Sequence, residues 1–260
     1  MTRGSLHVHT TYCDGKNTPE ENILSAIEKK FTYIGFSGHG YTDFDERYCM
    51  SKEKEAQYFE EIGRLAEKYK NQIKVFRGIE KDGLSTYDAH AYDYTIASVH
   101  YIRAGKEICE IDGGRDIQEN TIKNFFGGDP YAFAEEYFRT VANQEGDIVG
   151  HLDLVTKYDK GDKIFNPGEE RYKKAVLSAL EILLDKNMVF EVNTGSMARG
   201  YKDRPYPDTW ILEELKKRGG KVIITSDCHR AQFLDFAYEE TEKMLSKIGF
   251  TNFYIIDFIK

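Results

Sequence analysis

Short β-branched or apolar runs recur along the chain, each followed by a polar turn and then by a longer stretch with helical spacing. The runs predict strands over 5–9, 33–39, 73–80, 95–100, 148–153, 188–193, 221–227 and 252–258. Helical stretches lie between them. Thr18 is placed to cap one that opens with Pro19-Glu20-Glu21, where the proline's missing N–H costs nothing. Others cover 52–69, 129–144, 168–186, 208–218 and 235–247. Strand and helix alternating in this way, seven or eight times, predict a parallel sheet closed into a barrel, an α/β fold in one domain over 1–260. One stretch breaks the rhythm. Residues 103–128 carry Gly105, Gly113, Gly114, Gly127 and Gly128 among mixed charges and read as a long loop. Its place after the strand ending at His100 predicts a mobile lid over the barrel mouth.

Composition narrows the class. A chain with 40% hydrophobic and 31% charged residues is neither disordered nor fibrous. No run approaches about 18 apolar residues, and residues 1–9 hold no apolar signal region, so the expectation is a cytoplasmic protein with no membrane partner. The four cysteines, Cys13, Cys49, Cys109 and Cys228, lack C-x-x-C spacing, which argues against a thiolate zinc site. A net charge of −8 disfavours extended binding to a phosphate backbone. The pattern sets no oligomeric state.

The candidate chemistry lies in where the histidines fall. Six of the seven sit at or just past a predicted strand end: His7, His9, His39, His100, His151 and His229. Carboxylates hold equivalent places at Glu80, Asp153, Glu191 and Asp227. In a parallel barrel these ends meet at one face. The pairs His7/His9, His151/Asp153, Glu191/Asn193 and Asp227/His229 are spaced i, i+2, so on a strand both members point inward while Val8, Leu152, Val192 and Cys228 point outward. Polar groups packed into a barrel must be paired, and metal ions meet that need. Imidazole mixed with carboxylate suits Zn, Mn or Fe(II), and so many ligands suit two or three divalent ions. His90, away from any strand end, reads as a structural or surface residue.

His7-Val8-His9-Thr10, Ser37-Gly38-His39-Gly40, Gly78-Ile79-Glu80, Ser98-Val99-His100-Tyr101, Gly150-His151-Leu152-Asp153 and Ser226-Asp227-Cys228-His229 together resemble the ordered motifs of the polymerase and histidinol phosphatase (PHP) family. The resemblance implies a distorted, TIM-like (β/α)7 barrel, up to three metals at its C-terminal face, and phosphoester hydrolysis. It implies one ion on His7, His9, Glu80 and Asp227, a second shared by Glu80 with His100 and His151, and a third on Asp14, His39 and His229. Asp14 stands where related phosphatases often carry His, a departure toward a harder ligand. The length and the Ser98–Tyr101 motif are most like the stand-alone histidinol-phosphate phosphatases of histidine biosynthesis. That implies a small phosphate monoester as substrate. The family also holds exonucleases and other phosphoesterases, which remain the alternative.

Arg199, just past a strand end, matches phosphate with a two-pronged donor set. Lys157 and Arg230 are weaker versions of the same idea. Glu191 and Asn193 read either as supports for the ligands or substrate, or as plain hydrogen-bonding groups. Asp153 or a water on the third metal site is the candidate proton donor to the leaving group, and the sequence does not choose between them. Glu110 and Asp112, in the lid, are expected to accept from a cationic amine or imidazole, with Tyr41, Tyr158 and Tyr201 next in line.

Overall fold

The computed structural model describes residues 3–85, 91–161, 163–254, 257 and 259. His90 and most of the run 255–260 lie outside them. Strands β1 (Gly4–Ser5), β2 (Tyr33–Phe36), β3 (Lys74–Asp82), β4 (Tyr94–Ser98), β7 (Ile148–Val149), β8 (Val189–Asn193) and β9 (Val222–Thr225) form one parallel sheet in chain order. β5 (Tyr101–Ala104) and β6 (Glu107–Glu110) form a separate antiparallel hairpin. The helices are α1 (Pro19–Glu28), α2 (Lys52–Tyr69), α3 (Arg115–Phe125), α4 (Pro130–Ala142), α5 (Glu170–Asp185), the single-turn α6 (Gly195–Ala198), α7 (Thr209–Lys217) and α8 (Tyr238–Ile248). Thr18 caps α1 as its sequence predicts, within a full capping box with Glu21.

The sheet closes on itself just past the ends of β1 and β9. Val8 bridges Cys228 in parallel, His9 N–H donates to Cys228 O at 2.9 Å, and Cys228 N–H donates to His7 O at 3.1 Å. Alternation sorts the buried residues. Ile34, Phe36, Val149, Phe190, Val192, Val222 and Ile224 join the large cluster under the helices. Leu6, Tyr33, Tyr94, Ile96, Ile148, Val189 and Ile223 form a smaller one that plugs the barrel. Tyr94 fills the middle of that plug, its hydroxyl donating to the main-chain oxygens of Leu6 and Phe36. Gly35 and Gly78 leave it room, since a Cβ at either would overlap the Tyr94 ring or hydroxyl. The plug is the floor on which the polar cluster rests.

Two expectations need correction. The stretch 103–128 is no loop: it supplies the end of β5, all of β6 and α3, with Gly105 (φ 64°) turning the hairpin. A hydrogen-bonded hairpin and an eleven-residue helix stand in place of the expected irregular loop. The run 252–258 forms no strand among its described residues; Phe253 instead accepts from Ile224 N–H at 3.0 Å, edge-on to β9.

Candidate metal centre

Strand ends bring the predicted residues together. His7 and His9 follow β1, Asp14 lies in the next turn, and His39 lies beyond β2, bridged to Glu80 on β3. His100 follows β4, His151 follows β7, and Asp227 and His229 follow β9. Asp227 takes a left-handed backbone conformation (φ 45°), which a short polar side chain tolerates. Six imidazoles and three carboxylates thus converge on one volume.

Its centre is Glu80, buried with the imidazoles around it. Oε2 lies 3.4 Å from His7 Nε2, 3.6 Å from His9 Nε2 and 2.9 Å from His39 Nδ1. Oε1 lies 3.1 Å from His151 Nε2 and 3.6 Å from His100 Nε2. Asp227 Oδ1 lies 3.2 Å from His9 Nε2 and 3.7 Å from His7 Nε2. Around Asp14, Oδ2 lies 3.0 Å from His229 Nε2, and Oδ1 lies 3.4 Å from His9 Nδ1 and 3.8 Å from His39 Nε2.

These atoms suit a metal better than one another. His7 Nε2, His9 Nε2, Glu80 Oε2 and Asp14 Oδ1 are buried with no hydrogen-bond partner. Such orphans are rare unless an ion completes them. The sets His7/His9/Glu80, His39/Glu80/His100 and His9/Asp14/His39/His229 each bring their ligand atoms within 4.8 Å of one another. Burial alone would raise the Glu80 pKa, but His39, His7 and His100 hold it well below the usual carboxylate range. Burial would lower the pKa values of His7 and His100; the carboxylates outweigh it, pushing them to about 10 and about 9. A cation in this volume would take over that charge balance, and its binding would release protons.

A second layer fixes the imidazoles. Glu191 on β8 accepts from His7 Nδ1 at 2.8 Å, Thr225 Oγ1 at 2.8 Å, His151 N at 2.5 Å and Asn193 Nδ2 at 2.8 Å. Of the two readings left open for Glu191 and Asn193, support of the cluster is the one observed. Asp82 accepts the main-chain N–H of His100 at 2.8 Å, and its Oδ2 lies 3.4 Å from the His100 Nδ1. Sequence reasoning missed Asp82, although Glu80-Lys81-Asp82 repeats the i, i+2 signal.

A cavity of about 270 Å³ opens above the cluster, lined by Asp14, His39, Glu80, His100, His151, Asp227 and His229 and walled by Arg199, Lys157, Tyr201, Tyr48, Tyr101, Glu110 and Asp112. Arg199 ends α6 and donates to Asp227 Oδ2 at 2.9 Å and Asp227 O at 3.2 Å, with His229 Nδ1 at 3.0 Å. Tyr48 stands edge-on to His39 at 4.7 Å, a contact no sequence signal announced. Arg230 and Tyr41 do not line this cavity.

Asp153 is a correction. β7 ends at Val149 and a 3₁₀ turn follows at Leu154–Thr156, so strand alternation does not carry from His151 to Asp153. Asp153 lies outside the cavity lining and accepts from Asp208 N–H at 3.1 Å, ahead of α7. Burial raises its pKa.

Fold and site define a class: parallel α/β barrels whose C-terminal face gathers histidines and carboxylates under an open cavity. The PHP domain model matches residues 5–195, and the chain belongs to the PHP domain family. It is similar to the histidinol-phosphatase of Bacillus subtilis, at 25% identity over 269 residues, covering 92% of this chain and 98% of the relative. A solved chain from Listeria monocytogenes superposes with a TM-score of 0.78 at 18% identity, covering 92% of this chain and 99% of its own. The histidinol phosphate phosphatase of Lactococcus lactis, solved in complex with Zn, L-histidinol and phosphate, superposes with a TM-score of 0.70 at 20% identity, covering 97% and 95%. No helix among the described residues is long and apolar enough to cross a membrane.

Proposed function

We propose that this chain is a single-domain, metal-dependent phosphate monoester hydrolase that converts L-histidinol phosphate to L-histidinol and phosphate in histidine biosynthesis. One observation carries the reading: His7 Nε2, His9 Nε2 and Glu80 Oε2 are buried without a hydrogen-bond partner, with Glu80 Oε2 3.4 Å from His7 Nε2 and 3.6 Å from His9 Nε2, beneath an open cavity. Its near-complete overlap with the Bacillus subtilis relative supports the substrate.

Two to three divalent ions, Zn, Mn or Fe, suit this donor set. His7, His9, Glu80 and Asp227 would hold one; Glu80 would reach a second with His100 and His151; Asp14, His39 and His229 would hold a third. When bound, such ions act as Lewis acids and lower the pKa of water. The chain's own residues do the rest. Glu191 and Asp82 orient His7 and His100. Arg199 and Lys157 set two cations on the cavity wall, where the phosphate dianion is received and charge on its oxygens is offset. Glu110 and Asp112 give the outer cavity an acidic side that suits a cationic amine or imidazole. Four free cysteines suit a reducing compartment, in keeping with a cytoplasmic enzyme.

The test is kcat/KM for L-histidinol phosphate beside sugar and nucleotide monophosphates and a chromogenic diester, with elemental analysis of the same sample. Preference for histidinol phosphate and two to three ions per chain are expected. Preference for the diester, or less than one ion after supplementation with Zn, Mn or Fe, overturns the reading.

A further inference from the structure

Glu110 and Asp112 line the same cavity two residues apart, yet their surroundings differ. Asp112 is committed. Its Oδ2 accepts from Lys157 Nζ at 2.9 Å, with the two side chains 26% and 11% exposed. Its main-chain oxygen accepts from Tyr158 OH at 2.5 Å, and the Lys157 ammonium stands 5.1 Å over the Tyr201 ring. Drawing Asp112 away would strand a largely buried ammonium, which is unfavourable.

Glu110 is held loosely. Its carboxylate meets one cation among the described residues, Arg47 Nη2 at 3.2 Å, and the Arg47 side chain is 71% exposed. Arg47 has another anchor: Nε donates to Asp45 Oδ1 at 2.8 Å and Oδ2 at 3.0 Å, and Tyr101 OH fixes Asp45 at 2.6 Å. If Glu110 turns away, Arg47 keeps its carboxylate and no charge is stranded. Gly113 gives the Glu110 carboxylate its space, because a Cβ there would overlap it.

We propose that Glu110, and not Asp112, receives the cationic group of the substrate, and that Arg47 occupies Glu110 in the resting enzyme and is displaced from it on binding. Asp112 is a positioning residue that acts through Lys157. The inference rests on the monoesterase reading and deepens it.

The test is the ratio of kcat/KM for L-histidinol phosphate to kcat/KM for phenyl phosphate, which lacks a cation. Arg47→Ala and, as a second variant, Arg47→Gln raise the ratio about two- to fivefold, the scale of an exposed ion pair. Glu110→Gln lowers it about tenfold or more, the scale of a charge-assisted hydrogen bond. Asp112→Asn lowers both rates together and leaves the ratio in place. In the Glu110→Gln background, Arg47→Ala no longer moves the ratio. A ratio unmoved by either Arg47 variant, or moved as far by Asp112→Asn as by Glu110→Gln, overturns the inference alone. A wild-type protein that hydrolyses neither ester overturns the monoesterase reading, and this inference with it.

Discussion

Replacing Glu191 by glutamine exchanges one carboxylate oxygen for an NH2 and probes how His7 is held. Both oxygens are in use: Oε2 accepts from His7 Nδ1 and Thr225 Oγ1, and Oε1 accepts from His151 N and Asn193 Nδ2. If the new NH2 takes the Oε1 place, it faces the His151 N–H, and a buried donor goes unpaired at about 1–3 kcal/mol. Asn193 cannot relieve this by flipping, because its Oδ1 is engaged by Gly195 N–H at 2.8 Å. If the NH2 takes the Oε2 place, Thr225 can turn to accept, but His7 must move its proton from Nδ1 to Nε2. That proton would then occupy the lone pair aimed at Glu80 and Asp227. In the first case His151 loses its main-chain anchor and His7 keeps only a neutral acceptor; in the second His7 turns its lone pair away from the cluster. The expected loss in metal affinity is about 10–100-fold, the usual size for such a support, or about 1.4–2.7 kcal/mol. Competition with a chromophoric chelator measures it, with circular dichroism as the check on folding. A folded Glu191→Gln protein that holds metal within about threefold of wild type would refute the reasoning.

Glu80→Ala should abolish turnover and lose more metal than Asp14→Ala, because Glu80 faces five imidazoles while Asp14 sits at the edge with 34% of its side chain exposed; elemental analysis of both variants decides. Arg199→Lys keeps the charge but loses the fork. Its kcat/KM should fall by about 1–3 kcal/mol of transition-state stabilisation with metal content retained, and an unchanged value returns Arg199 to a purely structural place. Asp153→Asn should keep kcat/KM within about threefold, since a general acid would be worth about 10²–10⁴; a loss of that size would restore Asp153 as the proton donor. Chelation should lower the melting temperature by about 5–10 °C, on the order of a ligand held at 100 times its Kd, and a scan with no shift would count against a metal that supports the fold.

The sequence made the cluster legible because strand ends and i, i+2 spacing are local, and a barrel turns local position into convergence. Glu80, His151 and Asp227 were found by that logic alone. It failed wherever the strand stopped early: Asp153 follows a two-residue strand and a turn, so its direction is set by the turn. The hairpin β5–β6 went unseen because its glycine-marked turn sits in a polar stretch, although the alternation flanking Gly105-Lys106 carries a hairpin signal. Tyr48 and Arg47 reach the cavity region from a segment with no regular periodicity, and only tertiary packing brings them there.

The closure at Val8 and Cys228 bears on how the chain reaches this state. Ser5 and Ser226, whose hydroxyls meet at 3.0 Å, are 221 positions apart, and His7 and Asp227 flank the same seam. The entropy of closing so long a loop must be met before its contacts return anything. The cluster is therefore completed late on the folding route. While the β9 edge is unpaired, His7 and His9 have no Asp227 or His229 beside them, and a ribosome-bound chain still lacking that edge would hold the other ligands without a completed basin. Completion of the ligand set and closure of the barrel fall at the same late step, so an ion bound across His7, His9 and Asp227 would also clasp the seam and favour its closed form.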